Sequence, residues 1–129
     1  MKIKLANIFV EDQNHARQFY TETLGFTVKH DIPLGAFKWL TVISPENPEG
    51  AELLLEPNDN PIAKTYQKAL FEQGIAAVVF MVEDLDKEYA KLSAKNVEFK
   101  VKPMASPHGK FAIINDTCGN WVHLQQENK

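Results

Sequence analysis

Four histidines and a single cysteine are the side chains best suited to chemistry in this chain. His15 falls in a helix-like segment, His30 at the end of a strand-like run and His108 in a Pro107–Gly109 turn. None of the three has partner residues nearby in sequence, so each reads as solvated. Cys118 sits in a tight turn before Gly119 with no electropositive neighbour, and a thiol in that setting is inert. His123 differs, because it lies inside the apolar run Trp121-Val122-His123-Leu124. An imidazole there could serve as a general acid–base or as a hydrogen-bond anchor, or be a structural histidine satisfied by a neighbouring strand. The chain has no HxxxH or HxxE pair at metal-ligand spacing. It also has no nucleophile elbow, phosphate loop or dinucleotide fingerprint.

The elements that position these residues repeat. Val10-Glu11-Asp12 recurs as Val82-Glu83-Asp84, each after an apolar strand-like run, Ile3 to Val10 and Ile75 to Val82. A helix-like segment follows each copy: Ala16, Phe19, Tyr20 and Leu24 in the first, Leu85, Tyr89 and Leu92 in the second. Asp12 and Asp84 occupy N-cap positions, and Gly25 and Asn96 tolerate the left-handed conformation that stops a helix. Phe26 to Lys29 and Val97 to Lys100 read as short strands, followed by turns around Pro33–Gly35 and Pro107–Gly109. Lys38–Val42 then matches Lys110–Ile114 at the same offset, and Glu52–Leu55 matches Trp121–Leu124 after a longer first loop. Between the halves, Asn60, Pro61 and Gly74 frame one further helix. The expectation is an α+β fold of two tandem βαβββ modules, 1–56 and 75–129, joined by a helical segment 57–74.

Composition agrees with one globular domain. The 129 residues are 44% hydrophobic and 24% charged, with 8 Phe, 3 Tyr and 2 Trp, enough apolar surface to offset the entropy of ordering. Fourteen basic and seventeen acidic residues leave a net charge of −3, which argues against nucleic-acid and anionic-membrane partners. One cysteine excludes an internal disulfide and a multi-thiolate metal knot. The start Met1-Lys2-Ile3-Lys4-Leu5 lacks a signal-peptide stretch and no run approaches a membrane span, so a cytoplasmic location is expected.

The Phe-Val-Glu-Asp strand end, Ala16-Arg17-Gln18-Phe19-Tyr20, Leu24-Gly25-Phe26 and Asp116-Thr117-Cys118-Gly119-Asn120 resemble the vicinal oxygen chelate superfamily. That group comprises glyoxalases, extradiol dioxygenases and fosfomycin- and bleomycin-resistance proteins. Thr117-Cys118 stands where many relatives carry Pro-Asp. The likeness implies that the strands form a curved mixed sheet with a cleft and that the helices lie on its outer face. It implies a divalent metal or a small molecule in the cleft, and modules that pair within or between chains, hence a homodimer. It also implies four ligand positions, on the first and last strand of each module, which fall here on Leu5, Leu54, Ala77 and His123. Three of these are hydrocarbon, so no metal or other cofactor is expected. A displaced site using His123 with Glu56 is the alternative, although Glu52 and Glu56 read as solvated residues at a strand end.

Strand alternation sends Ile8, Val10, Leu53, Leu55, Val122 and Leu124 under the helices. It sends Trp39, Thr41, Phe111, Ile113, Trp121 and His123 toward the cleft, where they are the expected ligand-binding residues, with His123 also the candidate for catalysis. An apolar, aromatic wall with few polar points suits a small hydrophobic or planar molecule, although the same rings could instead fill a core or a dimer interface. The expected function is metal-free small-molecule binding, similar to the bleomycin-resistance branch. The alternative is a metal-dependent lyase or dioxygenase with a displaced metal site, so whether a reaction is catalysed stays open.

Overall fold

The structure is a computed structural model describing residues 1–128. Its order is β1 (Leu5–Val10), α1 (Gln13–Gln18), a π-helical turn (Phe19–Thr23), β2 (Thr27–Leu34), β3 (Phe37–Ile43) and β4 (Glu52–Pro57). Then come α2 (Pro61–Glu72), β5 (Ala76–Met81), α3 (Leu85–Ala94), β6 (Phe99–Ser106), β7 (Gly109–Asn115) and β8 (Trp121–Glu127). The strands form two mixed four-stranded sheets of matching order, β1-β4-β3-β2 and β5-β8-β7-β6. In each, the first strand runs parallel to the last while the other pairs are antiparallel. The duplication read from sequence is thus a duplication of topology.

Local chemistry sets the helix ends. The Asp12 carboxylate accepts from the His15 amide at 3.1 Å, and Asp84 accepts from the Lys87 amide at the same distance. Asn60 caps α2 through the Ile62 amide, with Pro61 next in line, where its missing N–H costs nothing. Gly25 and Asn96 take positive φ angles of 87° and 61° after the first and third helical segments. The Gln13 side chain ties α1 to two strands. Its amide nitrogen donates to the carbonyls of Lys38 and Leu55, and its oxygen accepts from the Lys38 amide.

Some boundaries differ from the sequence pattern. β1 starts at Leu5, and Ile3 is exposed outside it. β2 and β6 run on to Leu34 and Ser106, so Pro33 lies within a strand instead of a turn. β2 is an edge strand, where a residue without an N–H is tolerated. Helix one changes pitch at Phe19.

The outer faces pack as the alternation requires. Ile8, Val10 and Leu55 are buried with Ala16, Phe19 and Tyr20, while Val122 and Leu124 are buried with Leu85 and Leu92. Leu24, Val78, Phe80 and Val97 pack against both groups, which makes one continuous core of the two halves. Tyr20 is fully buried, and its ring meets Phe80 of the second half edge-on at 6.3 Å. Its hydroxyl donates to Asp116 Oδ2 at 2.6 Å, a bond spanning 96 residues of sequence. Asp116 also accepts from the Cys118 and Asn120 amides and from the Asn120 side chain. The halves are locked by polar as well as apolar contacts.

Candidate functional site

With α1 and α3 packed on one side of the sheets, the other sides are left open except where the end of α2 meets Trp121. On the first sheet the cross-strand register aligns Leu34 with Phe37, Ile32 with Trp39, and His30 with Thr41 and Leu54. On the second it aligns Met104 with Phe111 and Gln125, and Ile113 with His123 and Val79. Both faces are mostly apolar and partly open to solvent, with Leu34 57% and Val79 54% exposed.

The expected site residues divide between these two faces. Trp39 is half-buried beside the exposed Ile32 and offers an aromatic surface. Thr41 is fully buried, and its hydroxyl donates to Glu52 Oε1 at 2.9 Å, so it belongs to the floor of the face. Phe111 stacks on His123, with ring centres 5.3 Å apart and planes inclined 21°. Ile113 pairs with His123 across the ladder. Trp121 is nearly buried. Phe71 of α2 lies parallel to its ring at 4.6 Å, and its indole N–H donates to the Phe71 carbonyl at 2.9 Å. Lys100 approaches the same indole, at 5.7 Å from the ring centre. Trp121 therefore forms a wall backed by α2 in place of an open stacking surface.

His123 Nε2 lies 2.9 Å from Gln125 Oε1, a bond in which the ring N–H donates. The imidazole is thus oriented by one glutamine and one phenyl ring. No carboxylate is bonded to it, so no acid–base dyad is assembled around His123 among the described residues.

The ligand positions implied by the sequence resemblance can be checked against the register. Leu5, Leu54 and Ala77 present hydrocarbon on β1, β4 and β5, and His123 is their only nitrogen or oxygen donor. That set does not fit a divalent ion, which needs about three protein donors. Among the described residues no three His, Cys, Asp or Glu side chains converge. Glu56, the alternative partner of His123, instead accepts from Asn7 Nδ2 at 3.2 Å on the first sheet.

Glu52 corrects the sequence reading. It is buried, not solvated, with its side chain 7% exposed. Thr41 holds one carboxylate oxygen, and Lys4 Nζ stands 3.2 Å from the other. Lys29 Nζ lies 3.8 Å from that second oxygen, and His30 Nε2 lies 3.7 Å from the one Thr41 holds. Burial pushes the Glu52 carboxyl up, but the Thr41 hydroxyl, Lys4 and Lys29 together outweigh that and hold it below the usual value. The β2 ladder slips between Val28 and His30, a bulge that bends the strand just where Lys29 and His30 approach Glu52. A sequence shows the alternation that puts Glu52 on Leu54's side, but it does not show the bulge.

Elsewhere, Cys118 is buried, and burial together with Asp116 pushes its thiol well up. His15 Nε2 meets Thr117 Oγ1 at 2.8 Å on the surface. Cavities of about 340 and 770 Å³ are present, the first bordered by Phe26, Met81 and α3, the second by Phe71 of α2 and Thr117. No helix among the described residues is long and apolar enough to cross a membrane.

Comparison with known proteins adds the following. A family model described as the Glyoxalase/Bleomycin resistance protein/Dioxygenase superfamily matches residues 2–124. The chain is 47% identical over 127 residues to the uncharacterized protein YurT of Bacillus subtilis (strain 168), covering 98% of this chain and 100% of the relative. It is similar to the crystal structure of UcmS2 at a TM-score of 0.83, with 32% identity and 96% of each chain covered. TnmS3, an antibiotic binding protein from Streptomyces sp. CB03234, has a TM-score of 0.77 and 24% identity, over 99% of this chain and 97% of that one. At that identity the likeness is one of fold.

Proposed function

Since the chain belongs to the Glyoxalase/Bleomycin resistance protein/Dioxygenase superfamily, we propose that it binds a small hydrophobic or planar molecule in a cleft without a metal ion. The observation that carries this reading is the hydrocarbon at Leu5, Leu54 and Ala77, three of the four positions where the superfamily's metal ligands are expected. Where ligands would stand, the wall is apolar, flanked by Trp39 on one sheet and by Phe111 and His123 on the other. Such a surface gains by excluding water from an aromatic body, and a stacked ring adds about 0.5–1.5 kcal/mol beyond burial. His123 acts as a hydrogen-bond anchor held in place by Gln125, and sequestration, not turnover, is the result. The antibiotic-binding description of TnmS3 supports a ligand of this kind.

A second copy of the chain completes the cleft. Ile32, Leu34 and Phe37 on the first sheet and Val79, Met81 and Met104 on the second are exposed apolar side chains on the faces that the helices leave open. Exposed apolar side chains grouped on a sheet face mark a surface that binds a partner or a ligand. Two copies in which the first sheet of one faces the second sheet of the other would cover both, with the ligand between them.

Metal analysis of protein purified without chelators tests the reading. Substoichiometric nickel, zinc, manganese and iron are expected. One equivalent of any of them, with loss of a turnover activity on chelation, would favour a lyase or dioxygenase instead.

A further inference from the structure

The apolar face of the first sheet ends in a charged corner. Glu52 is buried beneath it, while the three basic side chains around it stay accessible: Lys4 is 65% exposed, His30 42% and Lys29 32%. The acid is thus sealed and the bases are not. Glu52 spends one oxygen on Thr41 and the other on Lys4. An ammonium carries three N–H donors, so Lys4 retains two. Lys29, at 3.8 Å, is beyond hydrogen-bond distance of the carboxylate and keeps its donors available. Glu52 from below and the exposed Glu49 from outside both act on Lys4. The corner's capacity for an anion therefore lies in the donors that Lys29 and Lys4 keep available, at the edge of a face where apolar side chains strengthen charge interactions. Leu54 and Trp39 adjoin this corner through their ladder neighbours Thr41 and Ile32.

We propose that this corner is an anion-recognition point, and that the molecule bound in the cleft carries a carboxylate, sulfonate or phenolate on an aromatic or apolar body. The proposal rests on the cleft-binding reading above and adds the ligand's charge to it. In this arrangement Glu52 does not touch the ligand. It holds Lys4, Lys29 and His30 in position, so little side-chain entropy is lost when an anion arrives. The aromatic body lies on Trp39 and its anionic group meets Lys29 and Lys4.

Two fluorescent probes that share one body and differ in charge test it: 8-anilinonaphthalene-1-sulfonate and the neutral N-phenyl-1-naphthylamine. Each is titrated into the full-length protein and into the Lys4→Gln/Lys29→Gln double variant. The sulfonate should bind the native protein more tightly than the neutral probe, and the double variant should lose about tenfold in sulfonate affinity while the neutral probe changes little. Trp39→Ala should weaken both probes, which places them in the cleft. If the double variant does not fold, the native protein serves. Raising the salt concentration should then erode the sulfonate preference selectively. A sulfonate-to-neutral ratio unaffected by the double substitution, or by salt, overturns the anion corner and leaves the apolar cleft standing. Failure of both probes to bind overturns the cleft reading and the corner with it.

Discussion

Replacing Tyr20 by Phe removes a single oxygen from the centre of the molecule. The ring is fully buried and stays in place, so no apolar area is lost and no cavity opens beyond one atom. What disappears is the 2.6 Å donation to Asp116 Oδ2, a buried polar link between the two halves. Asp116 keeps three other donors, from the Cys118 amide, the Asn120 amide and the Asn120 side chain. A hydrogen bond to a charged group contributes about 1.5–3 kcal/mol, so a loss of about 2 kcal/mol is expected near neutral pH. For a chain of this length that corresponds to a fall of roughly 6–10 °C in Tm.

The pH dependence gives a sharper signature. Burial pushes Asp116 above its ordinary value, and the bonds from Tyr20, Asn120 and the local amides pull it only partly back. Because its folded value is raised, its favourable contribution is complete below the unfolded value and is lost as pH rises through the folded one. Removing the Tyr20 donor withdraws support from the charged form alone. The difference between native and variant should therefore be largest at neutral pH and shrink as the solution is acidified past the folded value of Asp116. Urea denaturation followed by circular dichroism at pH 7.5 and at the lowest pH at which the native protein stays folded, at one protein concentration, measures it. A Tyr20→Phe variant equal to native at pH 7.5, or with the same deficit at both pH values, would refute the argument.

Two further outcomes follow from the open faces and from α2. Val79→Lys places a charge on the exposed face of β5, where the monomer fold tolerates it within about 0.5 kcal/mol. Sedimentation should show native dimer and variant monomer at the same concentration, and a variant that dimerises as tightly as native would place the interface elsewhere. Phe71→Ala removes the ring stacked on Trp121 and should cost about 2–3 kcal/mol, less than a fully buried phenylalanine because Phe71 is only half-buried. In a Trp39→Phe background the emission of Trp121 should also shift to the red, and unchanged emission would mean that α2 does not shield the indole.

Much of the fold was legible in the residues because it rests on local rules. Asp12, Asp84 and Asn60 cap helices by accepting from amides two or three residues on, a geometry set by adjacent sequence. Period-two alternation placed Ile8, Val10, Leu55, Val122 and Leu124 in the core. The duplicated Val-Glu-Asp segments marked two halves, and the repeated strand order confirms them. What stayed hidden depends on long-range geometry. The π-helical turn that carries Tyr20, and the partner of Tyr20 in the other half, leave no local pattern. The parallel stack of Phe71 on Trp121 joins residues 50 apart, so alternation alone put Trp121 toward the cleft without showing what covers it. Glu52 looked like a solvated strand-end acid because only the assembled sheet, with its β2 bulge, brings Thr41, Lys4, Lys29 and His30 around it.

A crystal structure of the protein purified without chelators, solved with whatever it retains from the cell, tests the central claim most directly. The account predicts two chains with the Trp39 face of one opposite the His123 face of the other, and organic density or solvent between them. A metal ion coordinated by His123, or the two faces packed shut with no space between Trp39 and His123, would contradict it.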